Sequence, residues 1–182
     1  MNISAAAFAL FDTAVGPCAL VWGAQGLVGV LLPEASAAAT RSKAQRRYPG
    51  ARETPPTAEV QGVMQRIRAL LDGGRDDLED IALDMTAIPE FHRRVYAIAR
   101  AIHPGHTRTY GEVANALGDP LVARAVGQAL GANPFPIIVP CHRVLAAGSK
   151  SGGFSAPGGT RTKLRLLEIE RAPLGGTPGL FD

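Results

Sequence analysis

The chain is poor in the residues that staple or ligate. Its 182 residues include two cysteines and four histidines. The thiols, Cys18 and Cys141, lie far apart, so no disulfide framework is expected, and a reducing cytosol suits them. His92, His103, His106 and His142 form no HxxxH pair, and no CxxC occurs, which leaves no zinc motif of the usual spacing. No apolar run approaches the ~20 residues of a membrane span. Met1–Leu10 is apolar but short and lacks a basic start, so it is not read as a secretory signal. Internal repeats and low-complexity tracts are absent from the sequence. At this length the chain can bury one large core or two small ones.

Acidic residues are scarce in the second half. Residues 1–90 carry 8 Lys/Arg and 11 Asp/Glu, net −3, whereas residues 91–171 carry 11 Lys/Arg and 4 Asp/Glu, net +7. A basic half suits a polyanionic partner. An Arg-rich solvated surface explains the same count, and charge alone does not separate the two.

The first half reads as α+β. Ala5–Asp12, Cys18–Trp22 and Leu27–Leu32 form a meander pattern, broken at Thr13–Pro17 and at Gly23–Gly26. Ser36–Tyr48 reads as a helix with a basic end. Pro55-Pro56-Thr57 precedes a second, in which Val60, Val63, Met64, Ile67, Leu70 and Leu71 keep helical spacing up to Gly73-Gly74. Asp80–Met85 is expected to be a short strand.

Ala87-Ile88-Pro89-Glu90 marks the boundary, giving an N-terminal unit 1–86, a C-terminal unit 87–171 and a flexible tail 172–182. Phe91, Val95, Ile98, Ala99 and Ile102 share a helix face that stops at His103-Pro104-Gly105. Thr109 with Glu112 three residues on has the form of a capping box. Gly118 closes that helix, and Asp119-Pro120 starts the next, expected over Leu121–Leu130. The pair has a helix-turn-helix pattern. Leu121, Val122, Ala125, Val126, Ala129 and Leu130 are assigned to the core side. Ala123, Arg124, Gly127, Gln128 and Gly131 face outward. Glycine costs a helix roughly 1 kcal/mol relative to alanine, so Gly127 implies close approach, either of nucleic acid or of a neighbouring helix.

The chemically loaded stretch is Asn133-Pro134-Phe135-Pro136-Ile137-Ile138-Val139-Pro140-Cys141-His142-Arg143-Val144. A free thiol titrates near ~8.5 and needs a base to become a strong nucleophile. His142 is adjacent, but neighbours on an extended segment point opposite ways, so a bridging water is needed between thiol and imidazole. The imidazole in turn needs an orienting carboxylate; Glu168 and Glu170 are the candidates, on a last helix from Thr160 to before Pro173. A buried, inert Cys141 is the alternative. Cys18 reads as core.

These residues resemble the O6-alkylguanine-DNA alkyltransferases. The likeness rests on Pro140-Cys141-His142-Arg143-Val144, on Asn133-Pro134 eight residues before the cysteine, on Thr109–Ala114 and on Ala123–Gly127. It is close over residues 86–171 and looser before them. The resemblance implies an α+β protein with a small ribonuclease H-like N-terminal domain, a short antiparallel sheet and a mostly helical C-terminal domain containing the helix-turn-helix. It implies direct-reversal repair, in which O6-alkylguanine, and to a lesser degree O4-alkylthymine, in duplex DNA gives its alkyl group irreversibly to Cys141. His142 and Glu170 would complete the relay. Tyr110, Asn133, Val144, Phe154 and Ser155 would form the base pocket. Arg124 would fill the gap left by a flipped nucleotide, and Ala123, Gly127 and Gly131 would let the helix enter the minor groove. Phe154 stands where many members have tyrosine, and Gly152–Gly159 is about two residues longer than the family pattern.

No cofactor and no metal are implied. The expected partner is double-stranded DNA with alkylated bases, met by a cytoplasmic monomer that associates with the nucleoid and not with membranes. A weaker resemblance links Gly179-Leu180-Phe181 to sliding-clamp docking motifs. Two other functions fit parts of the pattern: a non-catalytic binder that flags alkylated DNA, and an unrelated thiol hydrolase carrying a helix-turn-helix.

Overall fold

The computed structural model describes residues 7–148 and 152–173. The tail from 174, with Gly179-Leu180-Phe181, lies outside the described residues. Strands β1 (Ala7–Thr13), β2 (Gly16–Gly23) and β3 (Gly26–Leu31) form an antiparallel meander. The two-residue β4 (Arg52–Glu53) pairs parallel to β1, giving the order β3-β2-β1-β4. The β1–β2 register runs from Ala7↔Trp22 to Thr13↔Gly16. At the hairpin the Thr13 hydroxyl donates to the Gly16 carbonyl at 2.8 Å, and Gly16 adopts φ +120, a conformation suited to glycine.

Helices α1 (Ala37–Arg47) and α2 (Ala58–Leu71) cover opposite faces of this sheet. Phe11, Cys18, Leu20 and Val30 pack with Met64, Ile67 and Leu70 of α2. Phe8, Ala19 and Val21 pack with Ala44 and Tyr48 on the α1 side. Burial on both faces is why β2 reads as a continuous apolar run rather than an alternating one. Ser36 and Thr57 cap the two helices through their hydroxyls. Glycine at position 29 makes room for the buried Tyr48 ring, which would have to shift to admit a Cβ there.

Asp80–Met85 is not a strand. It makes one isolated parallel bridge, Leu27↔Leu83, on the outer edge of β3; further along that edge Val30 N donates to the Pro134 carbonyl instead, so the pairing does not extend.

The second half is helical. Helix α3 (Glu90–Arg100) presents Val95, Tyr96 and Ala99 to a core shared with Val113, Ala114, Val126, Ala129, Phe135 and Val139. The Tyr96 hydroxyl donates to the Ala129 carbonyl at 2.8 Å. Strand β5 (Arg108–Thr109) leads directly into α4 (Tyr110–Ala116). The capping box is formed: Thr109 Oγ1 accepts from Glu112 N at 3.1 Å, and Glu112 Oε2 accepts from Thr109 N at 2.6 Å. Gly118, at φ +90, turns the chain.

The following helix differs from expectation in two ways. Pro120–Val122 is a 3-10 turn, and the α-helix α5 is Ala123–Gly131. Leu121, assigned above to the core, is 89% exposed. The tighter turn, anchored by Asp119 Oδ1 accepting from Leu121 N at 2.9 Å, rotates it away from the position an unbroken α-helix would give it.

Strand β6 (Val144–Leu145) pairs parallel with β5, and α6 (Thr160–Ile169) closes the structure. Leu166 of α6 joins the core beneath the sheet, while Leu167 packs with Leu145 and Ala172. No helix among the described residues is long and apolar enough to cross a membrane.

Candidate active site

Three local devices hold the segment around Cys141. The Asn133 amide donates from Nδ2 to the Val139 carbonyl at 2.9 Å and accepts at Oδ1 from Phe135 N at 2.9 Å. The Pro134 carbonyl accepts from Val30 N of β3 at 2.9 Å, tying the segment to the N-terminal sheet. Ile137 and Ile138 are buried in the core under that sheet. Ile137 adopts φ +76, a conformation that costs a β-branched side chain of order 1–3 kcal/mol; burial of both isoleucines offsets it.

Cys141 and His142 are not on extended chain. Cys141 N donates to the Val139 carbonyl at 2.8 Å across Pro140 (φ −79, ψ 66), an inverse γ-turn. Cys141–Arg143 then forms a 3-10 turn. Successive side chains are therefore about 120° apart rather than opposed. Both side chains are buried.

The acidic partner is Glu170. His142 Nε2 lies 2.9 Å from Glu170 Oε1. Arg143 Nε donates to Oε2 at 2.9 Å, Arg143 Nη2 donates to Oε1 at 2.7 Å, and Arg143 Nη1 donates to the Ile102 carbonyl at 2.6 Å. Glu170 is the C-cap of α6 rather than part of its regular turns. Glu168 points to solvent and pairs with Arg165. Burial by itself would push the Glu170 carboxyl up, but His142 and Arg143 together hold it at about 2. Glu170 is thus an anion at neutral pH and accepts a hydrogen bond from the Nε2–H of a neutral His142, whose pKa is lowered by burial. His142 Nδ1 is buried and has no hydrogen-bond partner among the described residues. Burial raises the Cys141 pKa, opposed by the Asn133 amide and by the charge on Lys163, so the resting residue is a thiol.

Cys141 lies on the floor of an open cleft of about 440 Å³ lined by Tyr110, Gly127, Leu130, Gly131, Gly153, Phe154 and Ser155, a size usual for small-molecule sites. Tyr110 is the first residue of α4, and the β5–β6 pairing places it near Cys141. Its pKa is raised by burial, then by Cys141, which keeps the phenol protonated. Phe154 is half-buried and packs against both main cores. The Ser155 hydroxyl donates to the Gly131 carbonyl at 2.9 Å, tying the loop to the end of α5.

On the outer face of α5, Ala123 is half-buried and Arg124 is exposed with no partner among the described residues. A Cβ at Gly127 would meet only the Tyr110 ring at 3.9 Å, and one at Gly131 would meet nothing within 4 Å. Packing within the protein therefore does not require glycine at either place.

Val144, expected in the base pocket, is fully buried, its carbonyl included, and is not among the residues that line the cleft. That carbonyl accepts from Lys163 Nζ at 2.6 Å, while the Cys141 carbonyl accepts from Val144 N; each retains a second lone pair.

Sequence reasoning missed two residues. One is Arg143, whose charge is spent on Glu170. The other is Lys163, a fully buried lysine whose Nζ also lies 3.3 Å from the Gly153 carbonyl and 5.8 Å from the Tyr110 ring centroid. Burial lowers its pKa to about 8. The signal for Lys163 was its place on the apolar face of α6, three and four residues before Leu166 and Leu167.

The chain is similar to known proteins in sequence and in fold. Residues 90–172 match the family described as 6-O-methylguanine DNA methyltransferase, DNA binding domain. A methylated-DNA–protein-cysteine methyltransferase of Methanothermobacter thermautotrophicus is 35% identical over 158 residues, covering 86% of this chain and 81% of that protein. One from Mycobacterium tuberculosis is 40% identical over 129 residues, covering 71% and 76%. The crystal structure of M. tuberculosis OGT in complex with DNA superposes with a TM-score of 0.73 at 33% identity, covering 91% of this chain and 94% of that one. The O6-methylguanine-DNA methyltransferase of Pyrococcus kodakaraensis gives a TM-score of 0.70 at 25% identity, covering 90% and 98%. The chain belongs to the family of methylated-DNA–protein-cysteine methyltransferases.

Proposed function

We propose that this protein repairs duplex DNA by direct reversal, moving the alkyl group of O6-alkylguanine, and to a lesser degree O4-alkylthymine, onto Cys141. The carrying observation is that Cys141 sits at the floor of a cleft, directly followed in the chain by the buried His142–Glu170–Arg143 cluster. One wall of that cleft is Tyr110, and another is the small-residue face of α5. The target oxygen is inside the duplex, so the nucleotide must leave the stack to reach the thiol. Arg124, exposed at the start of α5, fills the space it leaves, and Ala123, Gly127 and Gly131 let the helix approach closely.

In the reaction the thiol proton passes through a water to His142 Nδ1. The sulfur attacks the alkyl carbon, the S–C bond forms and the C–O6 bond breaks. Tyr110 donates its proton to the departing guanine and recovers one from the imidazolium, so the thiol proton ends on the base. Glu170 holds the imidazole and balances its transient charge. Asn133 fixes the Cys141 segment. The second lone pair of the Cys141 carbonyl accepts from the guanine amino group, and Phe154 and Ser155 close the pocket. The thioether product is stable, so each molecule acts once.

In this reading residues 1–86 support the Cys141 segment and 87–171 bind DNA, as a monomer in the cytoplasm on the nucleoid. The tail's Gly179-Leu180-Phe181 is a separate, weak candidate for sliding-clamp contact. Unchanged clamp binding after deletion of the last five residues would end that idea.

The decisive experiment weighs the intact protein and its peptides after incubation with duplex DNA bearing O6-methylguanine. One methyl on Cys141, with stoichiometric repair, is expected. Cys141→Ala should bind the lesion and transfer nothing. Tight binding by the unaltered protein with no mass change would instead identify a lesion-flagging protein, and multiple turnover would identify a hydrolase.

A further inference from the structure

We infer that Leu121 is an apolar contact for the DNA minor groove, working beside Arg124 where the recognition helix meets the duplex. The inference rests on the function proposed above. Leu121 is 89% exposed, whereas the only other exposed large apolar side chain among the described residues, Leu164, is 38% exposed. Its position is built rather than frayed: it sits in the 3-10 turn Pro120–Val122, with its amide bound by Asp119 Oδ1 at 2.9 Å. Leu121 lies three residues before Arg124 and both are exposed; a step of three residues is close to one turn in both the 3-10 turn and the α-helix, so the two lie on adjoining parts of one exposed face.

The surroundings suit a polyanion. The only carboxylates of the helix-turn-helix, Glu112 and Asp119, are both spent on backbone caps. Arg108 and Arg124 have no partner among the described residues and remain free for phosphates.

Spacing gives Leu121 a place on the duplex. With rises of about 2 Å per residue in the 3-10 turn and about 1.5 Å in the helix, it stands about 10 Å from Gly127 at the cleft. That is about three base steps of ~3.4 Å. A leucine held there meets sugar and base edges on the flank of the lesion, and proteins that enter the minor groove use such apolar wedges to open base steps. Arg124 would supply charge at the gap, and Leu121 a salt-insensitive contact that helps hold the flank open.

The test compares Leu121→Ala and Leu121→Lys with the unaltered protein and with Arg124→Ala. Melting temperature serves as the folding check. Duplex affinity is measured across salt concentration, and flipping is followed with 2-aminopurine beside the lesion. For Leu121→Ala, affinity should fall about fivefold to tenfold at every salt concentration, with an unchanged salt slope and less 2-aminopurine signal. For Leu121→Lys, low-salt affinity should return with a slope steeper by about one, while the 2-aminopurine signal stays low. If Arg124→Ala weakens binding and flipping but Leu121→Ala matches the unaltered protein, the inference is overturned and the proposed function stands. If the unaltered protein neither binds duplex nor transfers the alkyl group, both fall.

Discussion

Arg143 grips Glu170 with two hydrogen bonds, Nε to Oε2 at 2.9 Å and Nη2 to Oε1 at 2.7 Å. The second of these oxygens also faces His142 Nε2. A carboxylate gripped in this way cannot take the histidine proton and remain stable, because its pKa is about 2. Arg143 therefore acts on the thiol at two removes: it keeps Glu170 anionic, Glu170 orients His142, and His142 presents Nδ1 as the available acceptor.

Glu170→Gln tests this directly. It leaves the Arg143 guanidinium buried beside a neutral amide, and breaking a buried pair in this way costs roughly 3–5 kcal/mol. Urea unfolding should show that loss. Alkyl transfer from duplex DNA should slow by about 100-fold or more with lesion affinity little changed. Full stability and full rate together would remove Glu170 from the relay.

Acid should unfold the protein through the same group. The carboxyl falls from an ordinary value near 4.5 to about 2 on folding. The unfolded chain thus binds the proton more readily over that interval. The stabilisation is fully present above about pH 4.5 and is lost as pH falls toward 2. The buried His142, with its lowered pKa, adds to acid lability in the same direction. Denaturation midpoints measured from pH 6 to pH 2 check this, and Glu170→Gln should show a flatter profile below pH 4.5.

Lys163 has the opposite signature. Its pKa drops from 10.5 in the unfolded chain to about 8, so the folded state releases a proton first, and stability should rise as pH increases from about 8 to 10.5. Lys163→Met should lack that rise. The variant also frees the Val144 and Gly153 carbonyls, which Lys163 Nζ approaches at 2.6 and 3.3 Å, so the Gly153 side of the cleft loosens. Transfer should fall by about tenfold at pH 7. An identical pH–stability profile in the variant would show that the lysine does not titrate in this window.

Arg124→Ala separates flipping from chemistry. The exposed side chain has no hydrogen-bond or ion-pair partner among the described residues to lose, so the melting temperature should be unchanged. Transfer from duplex DNA should drop by about tenfold or more, since unstacking costs a few kcal/mol, with a much smaller effect on a free O6-alkylguanine base. Equal losses on both substrates would place Arg124 in the chemical step instead.

Much of this molecule is written locally. The caps at Ser36, Thr57 and Thr109, the turn at Gly118 and the meander of β1 to β3 follow from residues within a few positions of one another. Cys141, His142 and the outward face of α5 were legible for the same reason. Leu121 was misplaced because one 3-10 turn changes the rotation per residue, and periodicity assumes a constant one. Asp80–Met85 was misread because a strand needs a free neighbour, and that need is invisible in its own residues. The choice of Glu170 over Glu168 depended on where α6 ends, and the cleft walls on contacts between residues as far apart as 131 and 155. Glu170 lies 27 and 28 residues beyond its two partners. The chain therefore specifies its nucleophile by short-range pattern, whereas burial and the packing of α6 against the Cys141 segment set that thiol's protonation. Electrostatic coupling across such gaps exists only once the intervening chain has packed and excluded water.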